Sequence, residues 1–300
     1  MNYSEFQTLL INRLNTFTSP GISVQIQLIE KNNAVDRIGL VLHDEHEPVR
    51  KAAPIVYPAL LYRSYLAGAS MEEIADCAWK ILHYPTPAEA DGRILEDKDY
   101  VLEHAVLRMV GKERNEEVLK DVLFRKFLDF AVTIGIYIRD GEDSCAITVL
   151  SREMFDMLDI TEEELFQRAE ANSVSFFGDQ MLDISMMLHF PGEDPEIDPE
   201  HLARTDYTQY ILTNRYHFYG AGTLLYTDKL RKLSESLNKD LLILPSSIHE
   251  LILVPDDGTE NAARFQMMVE NVNRSELRKE EILTDHVYRY SRERKCVEYA

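Results

Sequence analysis

Four residues of chemically useful type, Ser246, Ser247, His249 and Glu250, fall within one short stretch of this chain. A serine becomes a nucleophile when a base lies within hydrogen-bond reach, and the base needs a carboxylate to fix its tautomer. The residue types for such a hydrolytic site are present. Their spacing works against it, because side chains of adjacent residues diverge, and no G-x-S-x-G elbow frames either serine. A tight connection in which Pro245 ends a strand and a serine hydroxyl satisfies loop amides accounts for the same residues. His217 and His286 are further imidazoles that folding could bring to the serines.

Other constellations are weaker. His43 and His46 stand three apart among Asp44, Glu45 and Glu47, types that ligate metal. They follow a strand pattern and precede Pro48, so a solvated loop is expected; the helical H-E-x-x-H arrangement is absent. Asn214, Arg215 and His217 could together hold an anion. Tyr219-Gly220-Ala221-Gly222 meets neither phosphate-loop spacing and reads as a turn between strands. The acidic run from Glu193 to Glu200 lacks the central glycine and terminal glutamate of a calcium loop. Asp285-His286 is followed by Arg289, Arg292, Arg294 and Lys295, an ordinary charged surface. No cofactor motif is found.

The elements that must position these residues read as follows. Phe6, Leu9, Leu10 and Leu14 predict a helix over 3–17 with Ser4 as its cap. Val24, Ile26 and Leu28, answered by 38–42 across Asn32-Asn33, predict a hairpin whose apolar residues share a face. Pro54 opens a helix through Leu66. Ser70 and Glu73 form a capping box for a helix over 71–82. Tyr84-Pro85-Thr86-Pro87 is the clearest break. The chain therefore divides into a small lobe over 1–84, a connector over 85–98 and a larger lobe over 99–300.

In the larger lobe, 100–110 suits strand or helix, 115–119 a short helix, and 127–138 a long strand returned by 146–150. Ser151 caps a short helix, and Thr161 starts one ending near Asn172. A helix is expected over 179–187, and paired strands at 210–213 and 224–226. Another helix is expected over 228–237. The apolar runs 241–245 and 251–255 form a central hairpin. A helix over 259–272 packs Ala263, Met267 and Val269, and 287–290 is an edge strand. Strands joined by short turns argue for α+β: a mostly antiparallel sheet with packed helices, preceded by a smaller helix–hairpin–helix–helix lobe.

Composition narrows the function. Apolar residues make up 45% and charged residues 28%, a globular balance. The formal net charge of -20 repels phosphate backbones, so direct nucleic-acid binding is not expected. Ordinary solubility is the first account of it; it would also suit a basic protein partner, or an acidic decoy for a nucleic-acid enzyme. The first residues lack a basic and apolar leader, and no run approaches a membrane span. Cys77, Cys145 and Cys296 lie far apart, which suits reduced thiols in a cytoplasm.

The combination of Tyr210 to Arg215, Gly220 to Tyr226, Leu244 to Pro255, Val272-Asn273 and Leu283 to Tyr288 resembles an uncharacterised bacterial family common in anaerobic Gram-positive gut bacteria. That resemblance implies a bacterial cytoplasmic protein and carries no activity or site residue. The reading taken is a non-enzymatic acidic cytoplasmic binding protein. The alternative is a hydrolase using Ser246, Ser247 and His249.

Overall fold

A computed structural model describes residues 1–46, 54–83, 92–139, 145–185, 196–199, 209–256, 258 and 262–300. The fold is α+β with antiparallel sheets. The chain clusters into two compact units. The smaller contains Met1–Lys31, Val35–Tyr100 and Ile138–Ala146; the larger contains Asn32–Ala34, Val101–Tyr137 and Ile147–Ala300.

In the smaller unit, α1 (Tyr3–Asn15) is followed by a hairpin of β1 (Ile22–Lys31) and β2 (Val35–Asp44), then α2 (Pro58–Leu66) and α3 (Met71–Leu82). The cap of α1 is Asn2, not Ser4. Its carboxamide accepts from Glu5 N at 2.9 Å and the Glu5 carboxylate returns to Asn2 N at 2.9 Å. Helix α2 starts at Pro58 rather than Pro54. Val56 is held extended by two backbone bonds to Leu40, 2.8 and 3.0 Å, which delays the helix to the second proline. The Ser70–Glu73 box forms as read. Phe6, Leu10, Leu14, Val24, Leu40, Ile74, Ala78 and Leu82 make the core. Only part of the hairpin's apolar face reaches that core: Val24 is 3% exposed, but Ile26 is 53% and Leu28 66% exposed.

Among the described residues, the larger unit holds two sheets. In the first, β3 (Ala105–Gly111) and β4 (Phe124–Phe127) flank β5 (Phe130–Arg139), which β6 (Cys145–Val149) also pairs. The ambiguous stretch before Val110 divides into α4 (Lys98–His104) and β3. Residues 115–119 form 3-10 turns rather than a regular helix. The long strand expected over 127–138 forms as β5 but starts at Phe130, because Leu128 adopts φ 52° and turns the chain between β4 and β5. Ser151 caps α5 (Arg152–Asp156). Thr161 caps α6 (Glu162–Phe177), which runs beyond Asn172 until Gly178, at φ 60°, ends it.

The second sheet has the order β12–β11–β9–β10–β8–β7. Its strands are β7 (Gln180–Asp183), β8 (Tyr210–Thr213), β9 (Asp240–Pro245), β10 (Leu251–Asp256), β11 (Tyr288–Ser291) and β12 (Cys296–Tyr299). The central β9 is buried on both faces: Leu241 and Ile243 join one core cluster, Leu242 and Leu244 another. The helix expected over 179–187 begins only at Ile184, after β7, and its last residues lie outside the described ones; Met181 and Leu182 in β7 are both fully buried, which a strand between two layers allows. The strand expected at 224–226 lies at the end of a buried 3-10 turn, Gly220–Leu225. Helix α7 is Lys229–Leu237 and α8 is Ala262–Ser275. Phe265, Val269 and Asn273 form the inner stripe of α8, whereas Met267 is 58% exposed. The expected edge strand β11 is interior, because the charged tail supplies β12 outside it. The breaks at 84–91 and 140–144 and most of the acidic run lie outside the described residues.

Candidate functional site

The β9–β10 hairpin places the serine, histidine and glutamate residues of the opening stretch. Pro245 pairs Leu251, so residues 246–250 close the turn. The Ser246 hydroxyl donates to the Glu250 carboxylate at 3.0 Å. Ser247 is buried, and its oxygen accepts from His249 N at 3.0 Å while its own N–H donates to Glu250 O. The two serines therefore meet a carboxylate and a backbone amide, not an imidazole. The His249 ring sits elsewhere: Nδ1 accepts from Tyr219 N at 3.3 Å, and the ring also bonds the His217 backbone. Burial holds its pKa below the usual imidazole value, against the pull of Glu281 and Glu250. A neutral ring with an accepting Nδ1 is what the Tyr219 amide requires.

The turn is also fastened from outside. Ile248 N donates to Glu281 O at 2.8 Å, and the Thr213 hydroxyl donates to His249 O at 2.8 Å. Gly220 lies against this joint: a Cβ there would meet Thr213 Oγ1 at 2.2 Å and His249 O at 2.4 Å. That close approach is the physical role of the glycine.

The three residues read as an anion site are each engaged. Asn214 is buried; its Oδ1 accepts from Tyr216 N and Phe218 N, and its Nδ2 donates to Phe218 O. Arg215 donates to the carbonyls of Ser175 and Phe176, closing the last turn of α6. His217 and Tyr219 both lie at positive φ, 49° and 51°, in the loop that Asn214 organises. His43 is in β2 opposite Ser23 rather than on a loop, and His46 N donates to Asp44 Oδ1. Among the described residues, no group of three or more His, Cys, Asp and Glu is placed to hold a metal ion.

Two groupings escaped the sequence reading. Asp129, in the β4–β5 turn, accepts from Tyr299 OH at 2.8 Å, Tyr288 OH at 3.0 Å and the His286 ring at 2.9 Å. Burial pushes its pKa up, but the bonds from Tyr299, Tyr288 and His286 outweigh that and hold it below the usual value. His286 is thus placed beside Asp129.

The second grouping surrounds Arg108, on β3 and 8% exposed. Its Nη2 donates to Tyr219 OH at 2.9 Å and its guanidinium carbon lies 4.5 Å from the Tyr219 ring centre. Its buried Nε meets no acceptor, and no carboxylate pairs with it among the described residues. A cation–π contact contributes roughly 0.5–2 kcal/mol. A buried ion costs several kcal/mol to desolvate, so the tyrosine alone leaves this charge under-compensated. Gly135 makes room for the stem, since a Cβ there would lie 2.8 Å from Arg108 Cδ and 2.3 Å from Ile147 Cγ2.

One family model, described as a family of unknown function (DUF5688), matches residues 3–292. No curated protein and no solved structure matches the chain.

Proposed function

Since the chain belongs to DUF5688, a family of unknown function, its role must be argued from its own residues, and we propose that it is a binding protein that recruits a basic protein segment by strand addition at β1. The observation that carries this reading is the open edge of β1. Val24 N is turned away from β2 and is taken by Asn15 Oδ1 at 2.7 Å. Backbone groups of an antiparallel strand alternate between its two sides, so Ile26 and Leu28 present their N–H and C=O outward as well. Among the described residues, the sheet has two strands and no further strand pairs β1. Ile26 and Leu28 are also the exposed apolar side chains of the strand. Backbone bonds supply affinity in such an addition and alternate side chains supply selectivity. The net charge of -20 favours a basic incoming segment and disfavours a second copy of this chain.

This reading places the protein in a bacterial cytoplasm. No helix among the described residues is long and apolar enough to cross a membrane. The hydrolase alternative at Ser246, Ser247 and His249 has no comparable support, because both hydroxyls are engaged away from the imidazole.

A fluorescent peptide of alternating lysine and valine, compared with its glutamate–valine counterpart, tests the proposal by polarisation. The basic peptide should bind the full chain and the acidic one should not. Leu28→Pro deletes an outward N–H that β2 does not use, and proline is tolerated on strand edges. The variant should fold normally by circular dichroism and lose binding. Equal binding by the folded variant, or no binding by the parent chain, would overturn the proposal. So would a dimer in sedimentation that Leu28→Pro dissolves, because the occupant would then be a second copy.

A further inference from the structure

We infer that Arg108 is the receptor of a small-molecule oxyanion, a carboxylate or phosphate group held between its guanidinium and the Tyr219 hydroxyl. The inference is independent of the β1 edge. Arg108 is more than nine-tenths buried, yet its Nε–H is free and no carboxylate pairs with it among the described residues. A guanidinium matches an oxyanion by donating two parallel N–H bonds. Tyr219 completes the chemistry. Its oxygen accepts from Arg108 Nη2 at 2.9 Å, which leaves its own hydrogen free to donate to an anion.

The surroundings hold these two residues in place. Tyr219 is kept in the left-handed region, φ 51° and ψ 29°, a conformation that costs a tyrosine energy and is stored where geometry matters. His249 Nδ1 accepts its N–H, and Phe218 packs edge-on against its ring at 4.8 Å. On the other side, Gly135 leaves the space through which the Arg108 stem passes. Thus β3 and β5 hold one buried cation, the β9–β10 turn holds the tyrosine beside it, and no carboxylate among the described residues pairs with that cation. The polar turn from Ser246 to Glu250 acquires a purpose in this arrangement, because through His249 it sets the backbone of Tyr219.

Thermal unfolding of the full chain tests the inference, with inorganic phosphate and succinate as probes and sodium chloride at matched ionic strength as control. The response, taken as the rise in midpoint beyond that in sodium chloride, should climb with the logarithm of one probe's concentration; which probe acts tells phosphate from carboxylate. Arg108→Met keeps the stem's volume and removes the charge. It should fold with a probe-free midpoint at or above that of the parent and show no probe response, since a buried unpaired charge is lost. Should the methionine variant fail to fold, Arg108→Lys decides: it keeps the charge without the fork, and its response should be at least about tenfold weaker. Tyr219→Phe should fold and respond weakly. A parent chain that ignores both probes, or a folded Arg108 variant with the parent's response, would overturn the inference.

Discussion

At the scale of single residues, His249 is the position whose behaviour the geometry fixes best. Its Nδ1 is an acceptor for Tyr219 N, so the folded state needs the neutral ring. Burial depresses its folded pKa below the unfolded value of about 6.5. A depressed pKa contributes stability that is present above the unfolded value and lost as pH falls through the folded one. Urea unfolding should therefore show stability falling as pH drops below about 6.5. His249→Asn offers an acceptor that does not titrate, and should flatten that part of the profile while leaving the chain folded; an unchanged slope would sink the assignment. The residue was legible as a chemical type but not in its role. Adjacent letters in the sequence suggested a serine partner, whereas its actual partners, Tyr219 and His217, lie some thirty positions away. Ser70 with Glu73 was readable because capping is a local event. Asp129 and Arg108 were not, because each acquires its meaning only from strands that pair at long range.

At the scale of elements, the same division between local and long-range causes explains which were readable. The β1–β2 and β9–β10 hairpins are set by alternation and a turn, both written in neighbouring residues. The strands β7 and β12 are four residues each. Neither has enough pattern to declare itself, and each is an end strand that pairs a single neighbouring strand among the described residues. For β12 the fastening is Asp129, which receives Tyr299 from that strand and Tyr288 from β11. Its carboxyl titrates below the usual value of about 3.9, so the fastening is complete above that value and is lost as pH falls through the folded one. Hydrogen exchange should show Cys296 to Tyr299 losing protection in acid before β9 does. Asp129→Asn, which cannot accept from all three donors, should show the lowered β12 protection already at neutral pH. Equal protection in the two proteins would mean that backbone pairing alone retains the strand.

At the scale of the whole molecule, the charge of -20 should act on folding and on the proposed partner binding with opposite signs in salt. Like charges spread over a compact chain repel one another more than over an expanded one, so the field works against folding. Raising ionic strength from about 0.01 to 0.15 M shortens the screening length from about 30 to 8 Å, which weakens that repulsion. The thermal midpoint should rise over this range in sodium chloride. The proposed attraction of a basic segment to the β1 edge would draw on the same field, and the same salt should weaken it, chiefly by slowing association. A protein that is acidic merely for solubility would show the first effect without the second. An edge that binds through backbone and apolar contacts alone would show binding that ignores salt. Measuring both quantities on one preparation separates these cases. A midpoint that rises while the lysine–valine peptide binds progressively less tightly is the outcome expected of an acidic recruiter. Binding independent of salt would remove charge from the recognition and leave the exposed Ile26 and Leu28 as its whole basis.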